Sequence, residues 1–353
     1  MAHECAASAE ALACDPLRIV VVGKTGTGRS SSGNTTLGRP AFRLDVSPCS
    51  ITTQCERQTE TVGGQSISVI DTPGFFDTRL SPQQVTMEMG RCVALSSPGP
   101  HAFLLTFRVG RLTQEDSDTL EWVKATFGPG VTRFIMVLFT WGDQLKGKPI
   151  EDFIKESEEL SAFVASCQGR CHVFDNSEKR ENTAEPSQQV IQLLEKIDKM
   201  VAENGGGYYC NETFLEAERA IAEIQERVLR ERRDGVLSHQ REEQGLELEG
   251  RGRAESEEEE KERRKEEEAA RKKAEKLFWC ELVTAVGKGA AEGAGLMGKD
   301  KGKGKALKKV KVVEKAAALA TSPLSITSAA KAVGGAVREG GKVLYKHRKT
   351  LLH

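Results

Sequence analysis

Leu17-Arg18-Ile19-Val20-Val21-Val22-Gly23-Lys24-Thr25-Gly26-Thr27-Gly28-Arg29-Ser30 is the stretch on which the fold turns. Its first six residues form a β-branched, nearly unbroken apolar run, the pattern of a strand buried on both faces of a parallel sheet. The next eight have the glycine spacing and closing hydroxyl of the phosphate loop G-x-x-x-x-G-K-[ST], with Arg29 where the pattern has lysine. Glycines there let several backbone N–H groups converge on phosphates at a helix N-terminus. The expected phosphate site comprises Gly23, Gly26, Thr27, Gly28, Arg29, Ser30 and Ser31, with the Ser30 hydroxyl on Mg²⁺. The alternative is a glycine-rich turn that binds nothing. Arg29 keeps the positive charge, but its planar guanidinium does not occupy the compact position of an ammonium. Reduced nucleotide affinity, slowed hydrolysis and a tolerated variant are all open, and Lys24 is expected to add compensating potential on the same loop.

Outward from this stretch, strands and helices alternate. A helix is expected near Ser30–Leu37, then strands at Ile67–Ile70, Ala102–Phe107, Phe134–Phe139 and Cys171–Phe174. Ser81-Pro82-Gln83-Gln84 and Thr113-Gln114-Glu115-Asp116 read as capping boxes, the second opening a helix through Phe127. Phe153, Ile154, Leu160, Phe163 and Val164 mark one face of a single helix, and Val190, Ile191, Leu194, Ile197 and Val201 that of the next. The order argues for a doubly wound α/β domain over residues 16–205, closed by Gly205-Gly206-Gly207.

Two further motifs fit a nucleotide. Asp71-Thr72-Pro73-Gly74 ends the second apolar strand, so that Asp71 would hold Mg²⁺ through water and the Gly74 N–H would meet a γ-phosphate. Thr140-Trp141-Gly142-Asp143 follows a buried strand. An aspartate there accepts both N–H donors of a guanine edge, which makes Asp143 the expected specificity residue. Trp141 either stacks on the base or packs against the adjoining helix. Asn176, after the strand at Cys171–Phe174, is the weaker candidate for the last base-contacting loop.

Together these pieces resemble the GIMAP (IAN) family, the GTPases of immunity-associated proteins, which are related to septins and chloroplast import GTPases. The resemblance covers residues 16–205. Its most specific block is Leu95-Ser96-Ser97-Pro98-Gly99-Pro100-His101-Ala102-Phe103-Leu104-Leu105, continued by Gly110-Arg111-Leu112-Thr113-Gln114-Glu115-Asp116. Ser32-Gly33-Asn34-Thr35-Thr36-Leu37-Gly38, Asp71 through Asp77, and Leu138 through Leu145 fit as well. The resemblance implies a Ras-like P-loop GTPase domain with a mostly parallel sheet. It implies binding of GDP and GTP with Mg²⁺, and dimerisation across the nucleotide face. It also makes Thr52, preferred over Thr53, the first-switch threonine that joins Ser30 and Asp71 at Mg²⁺. Phe75 stands where Ras-type enzymes carry a water-positioning glutamine, so fast hydrolysis by a lone monomer is not expected. Arg111 matches a position that acts across the dimer in some members; the alternative is an ordinary surface charge. The leading expectation is a nucleotide-controlled oligomerising switch or scaffold with slow or dimer-stimulated GTP hydrolysis. The other is a pseudo-GTPase interaction module weakened by Arg29. Whether the chain is an enzyme is left open. An immune role rests on the family's name alone.

The rest of the chain is a different material. Its overall charge of −1 sums segments of −6 over residues 1–211, −5 over 212–276 and +10 over 277–353. Residues 1–15 lack a basic start and an apolar run, so a disordered N-terminus is expected rather than a secretory signal. Residues 206–278 read as a helical, charge-rich extension. Phe214, Ala217, Ile221, Ile224 and Val228 form a seam two heptads long, too short to favour a free coiled coil over docking. Ala254–Lys276 reads as a solvated spacer carried by Glu257–Lys261, Glu259–Arg263, Glu260–Arg264, Glu267–Arg271 and Glu268–Lys272 at i, i+4. Residues 279–353 form a basic Gly/Ala/Lys-rich tail, and Ala316–Ala330 is too short and polar to span a bilayer. The Lys299–Lys315 run suits peripheral contact with an anionic intracellular membrane, and the alternative is a soluble disordered tail; without interleaved aromatics nucleic acid ranks last. Nine scattered cysteines without Cys-x-x-Cys indicate a reducing, cytoplasmic setting. Cys167, Cys171 and His172 are read as thiols and a histidine rather than as a zinc site.

Overall fold

The computed structural model describes residues 15–44, 52–74, 80–176, 186–243, 257–293 and parts of 328–343. Two compact units emerge, one reaching to Leu215 and resuming at Val333, the other running from Glu216 to Ala332.

The first unit is an α/β layer structure. β1 (Leu17–Val22), β2 (Glu56–Val62), β3 (Gln65–Asp71), β4 (Ala102–Arg108), β5 (Ile135–Thr140) and β6 (Cys171–Phe174) form one sheet in the order β2-β3-β1-β4-β5-β6. All neighbours are parallel except β2, which runs antiparallel on β3. Every residue of β1 and β5 is buried, as a strand inside a parallel sheet requires. The polar strand β2 was not anticipated. Its Glu-Arg-Gln-Thr-Glu-Thr sequence suits a half-exposed edge, and the sequence signal for it was Gly63-Gly64, whose φ of +58° and +85° builds the hairpin.

The helices are α1 (Arg29–Leu37), α2 (Pro82–Ser96), α3 (Gln114–Phe127), α4 (Ile150–Lys155), α5 (Glu158–Ser166) and α6 (Gln188–Glu203). Both capping boxes form: Gln84 N donates to Ser81 Oγ, while Ser81 N donates back to Gln84 Oε1 at 2.8 Å. Thr113 and Asp116 do the same on α3. The single helix expected around Phe153–Val164 is instead two, because Ser157 takes an extended conformation and accepts from Leu160 N to start α5 afresh. Packing continues past the glycine triplet. Tyr209 is buried, with its ring centroid 5.9 Å from that of Phe103 and 6.2 Å from that of Phe214.

In the second unit α7 (Glu212–Glu243) begins in the preceding residues, and α8 is Glu257–Gly293. All five seam residues are buried. The spacer expectation for Ala254–Lys276 fits the exposed residues 261–266 but needs correction toward its C-terminal end. Ala270, Ala274, Glu275, Phe278 and Leu282 are buried at helical spacing, so one face of α8 is covered. Glu260–Arg264 and Glu268–Lys272 pair as expected, at 2.7 and 2.6 Å. Arg271 does not pair with Glu267; its two terminal nitrogens fork onto Glu218 of α7 at 2.7 and 2.5 Å, and Glu267 takes Arg263. A bidentate guanidinium–carboxylate pair across two helices outcompetes a single-helix contact. The Glu257–Lys261 and Glu259–Arg263 pairs rest on glutamate side chains outside those described, and the N-terminus before Asp15, Phe75 and the Lys299–Lys315 run lie outside the described residues. Among the described residues no helix is long and apolar enough to cross a membrane.

Candidate functional site

Five of the six strands are parallel, so their C-terminal ends share one edge of the sheet, and the loops leaving β1, β3, β4, β5 and β6 meet there. The loop after β1 turns through Gly26 (φ +82°) and Gly28 (φ +77°), conformations that L side chains rarely adopt. At Gly28 a Cβ would stand 3.3 Å from Trp141 and 3.4 Å from Asn176, while at Gly23 it would overlap the Thr106 hydroxyl. Two threonines that sequence reasoning missed fasten this loop to the sheet. Thr27 and Thr106 hydroxyls lie 2.6 Å apart, and Thr140 Oγ1 donates to the Thr27 carbonyl at 3.0 Å. Thr140 opens the quoted base motif, which was its only signal; Thr106 is one more residue of an apolar strand.

The three expected cation ligands converge. Ser30 Oγ donates to Asp71 Oδ2 at 2.5 Å and lies 3.0 Å from Thr52 Oγ1, which in turn donates to Asp71 Oδ2 at 3.2 Å. Asp71 is 2% exposed, and its Oδ1 is buried without a hydrogen-bond partner. Burial pushes its pKa up, against the nearby Arg29 charge and the hydrogen bonds from Ser30 and Thr52. A buried carboxylate oxygen left bare beside two hydroxyls is a hard-oxygen set that suits Mg²⁺. Ser31 is half-buried on the first turn of α1.

Arg29 is buried too. Its Nη1 donates to the Thr72 carbonyl, and its Nη2 stands 3.4 Å from where a Cβ on Gly74 would sit. Lys24 does not supply the loose compensating charge expected of it. Its Nζ donates to Thr113 Oγ1 at 2.9 Å and to Asp116 Oδ2 at 3.2 Å, so a carboxylate at the start of α3 already neutralises it.

On the other side of the loop, Trp141 is half-buried in a left-handed conformation (φ 59°). The Arg108 guanidinium lies over its ring, 4.8 Å from the centroid, a partner neither sequence reading had proposed. Asp143 is exposed in the 3₁₀ turn Gly142–Leu145. Asn176 turns toward α1, where its Oδ1 accepts from Thr35 Oγ1 at 2.9 Å and its Nδ2 donates to Ser32 Oγ at 3.2 Å. Arg111 is exposed in the loop between β4 and α3. Trp141 and Asn176 thus flank Gly28, while Arg111 stands two residues before the Thr113 that Lys24 holds. Away from this edge, Cys167 is buried with its thiol pushed up to about 11, and His172 bonds the Gln189 carbonyl at 2.8 Å. Among the described residues no His/Cys/Asp/Glu cluster forms a metal-binding group of three.

This geometry can be set beside known proteins. Immune-associated nucleotide-binding protein 9 of Arabidopsis thaliana is 33% identical over 213 residues, 59% of this chain and 62% of its own length. Human GTPase IMAP family member 8 is 32% identical over 195 residues, 55% of this chain and 29% of that protein. The chain therefore spans less than two thirds of either relative. Toc33 of Arabidopsis thaliana, crystallised with Mg²⁺ and GMPPNP, aligns at a TM-score of 0.43 and 20% identity over 55% of this chain and 88% of its own. The model of the AIG1 family matches residues 17–228, the whole of the sheet and its helices and the start of α7. The resemblance drawn from the motifs holds, and the chain belongs to the AIG1 family.

Proposed function

We propose that this protein is a guanine-nucleotide-binding switch or scaffold that self-associates across its nucleotide face, with slow or association-stimulated hydrolysis of GTP to GDP and phosphate. The observation that carries this reading is the convergence of Ser30, Thr52 and Asp71 around the unpartnered Asp71 Oδ1, beside the glycine loop. Ser30, Thr52 and Asp71 would hold Mg²⁺, which supplies charge neutralisation for the phosphates. The loop from Gly23 to Gly28 offers backbone N–H groups to the phosphates at the start of α1. Gly74 faces the loop from the end of β3. Asp143 reads the base edge, with Trp141 and Asn176 lining the approach beside Gly28. Arg111, exposed near the loop, is the group that would reach a partner's phosphates; an arginine supplied in trans raises hydrolysis by about 10³–10⁵-fold.

Calorimetric titration of the purified full chain with GDP and ADP in Mg²⁺ tests the reading. Micromolar or tighter GDP binding, at least tenfold tighter than ADP, is expected, and Asp143→Ala should erase the preference. Equal ADP affinity refutes the role of Asp143. A specific hydrolysis rate that climbs with protein concentration and loses that climb in Arg111→Ala supports the trans arginine. A cytoplasmic location with peripheral membrane contact through the basic tail belongs to the same proposal, supported by the lysine run. Salt-sensitive liposome co-sedimentation that disappears on removal of residues 299–353 is its test.

A further inference from the structure

The side chain at the lysine position of the phosphate loop does not stand free to receive phosphate. Arg29 is 6% exposed, and its Nη1 donates across to the Thr72 carbonyl, 43 residues along the chain. Its charge is the largest influence opposing the desolvation of Asp71. Its Nη2 reaches to within 3.4 Å of the Cβ position of Gly74. Thr25 closes on Gly74 from the loop itself, with its backbone N also 3.4 Å from that position and its hydroxyl overlapping it. The guanidinium therefore spans from the first turn of α1 to the end of β3, joining the loop to the segment whose Gly74 N–H is expected to meet a third phosphate.

A lysine ammonium is a point charge on a flexible stem and turns toward whatever phosphate arrives. A guanidinium is a planar fork, and this one already spends one tine on a backbone carbonyl. A diphosphate, bound by the loop N–H groups at the helix start, leaves that bridge intact. A third phosphate brings its oxygens to the Gly74 side, where Arg29 and Thr25 now lie. It must strip Arg29 from Thr72 and leave a buried carbonyl without its donor.

We propose that Arg29 is a specificity determinant that makes this site select a nucleoside diphosphate over the corresponding triphosphate, by bridging the phosphate loop to Thr72 and Gly74. This inference rests on the guanine-nucleotide reading and deepens it by naming the phosphorylation state bound.

Calorimetry or fluorescence competition with GDP and with the non-hydrolysable analogue GMPPNP, each in Mg²⁺, reads the ratio of the two dissociation constants directly. The wild-type full chain is expected to bind GDP at least about tenfold more tightly than GMPPNP, the scale of one charge-assisted hydrogen bond. Arg29→Lys should bring the two within about threefold of each other, chiefly by tightening GMPPNP. Arg29→Met, which removes the bridge and the charge together, should weaken GDP while also narrowing the ratio. Equal affinities in the wild type overturn the proposal, as does a GDP preference that survives Arg29→Lys. If the wild type binds neither nucleotide but Arg29→Lys binds both, the diphosphate selectivity is refuted and the arginine is a block. If neither variant binds either nucleotide, the guanine-nucleotide reading itself has failed.

Discussion

Asp116→Ala should cost this protein far more than a surface carboxylate would. Asp116 is 6% exposed, and its Oδ2 accepts three donors: Thr113 N at 3.0 Å, Thr113 Oγ1 at 2.5 Å and Lys24 Nζ at 3.2 Å. Removing it undoes half of the α3 capping box, about 1 kcal/mol. It also leaves Lys24, whose side chain is only 20% exposed, facing a hydroxyl instead of a carboxylate. Breaking one side of a fully buried ion pair costs about 3–5 kcal/mol. Lys24 keeps Thr113 and some water, so about 1–2 kcal/mol is the appropriate share. The expected total is about 2–3 kcal/mol, with Thr113→Ala near 1 kcal/mol and Lys24→Met between them. Urea unfolding followed by tryptophan emission is the assay, since Trp122 lies buried on α3 itself. The double variant Lys24→Met/Asp116→Ala should lose about 1–2 kcal/mol less than the sum of the singles, because each single strands the other's charge. An Asp116→Ala cost below about 0.5 kcal/mol, with additive doubles, would refute the Lys24–Asp116 pair as a structural link between the glycine loop and α3.

Stability should fall in mild acid through His101 and His172, whose pKa values burial depresses to about 3 and about 4. Both are nearly inaccessible, and His101 accepts the Arg18 N–H on its Nδ1. The unfolded chain takes up these protons near pH 6.5 and the folded one does not. Each histidine therefore contributes stability that is full above that pH and declines as pH falls toward the folded value, by about 2 kcal/mol at pH 5. Urea midpoints at pH 7 and pH 5, compared with His101→Asn, check this; a pH-independent midpoint difference contradicts it. Gly33→Ala should destabilise by about 1–3 kcal/mol despite its better helix propensity, since the new Cβ would sit 2.7 Å from the Phe42 ring. A variant at least as stable as wild type would show that Phe42 moves freely. Arg271→Met should uncouple α7 from α8 and speed hydrogen exchange at both, whereas Lys272→Met, which pairs with Glu268 on its own helix, should leave α7 unchanged.

Much of the first unit was legible because the relevant signals are local. A nearly unbroken apolar run makes β1 or β5 a buried strand wherever it is placed, and Ser81 or Thr113 caps a helix with a residue three positions away. What failed was local structure under tertiary control. β2 has no apolar face of its own and exists by pairing with β3. The α4–α5 break depends on a cap at Ser157 that a continuous apolar face concealed. The candidate site residues were proposed from motifs, but the partners the structure gives them were not. Thr106 is one residue of an apolar strand, and Thr72, though inside the quoted Asp71–Gly74 motif, carries no sign that its carbonyl would take Arg29.

The sequence by itself determined five of the six strands and most of the helices, the glycine loop, the places of Ser30 and Asp71 beside it, and the family. Each of these depends on residue types at short spacing, which backbone sterics and hydrogen bonding translate directly into structure. Only the tertiary structure decided where the charges go. Lys24 is spent on Asp116, 92 positions away; Arg29 on Thr72, 43 away; and Asn176 on Thr35, 141 away. A buried ionic or polar group must be paired, and in a parallel sheet the partner comes from whichever loop the strand order brings to the same edge. That order, and not the spacing along the chain, turned an apparent lysine-to-arginine replacement into a bridge from the glycine loop to Thr72.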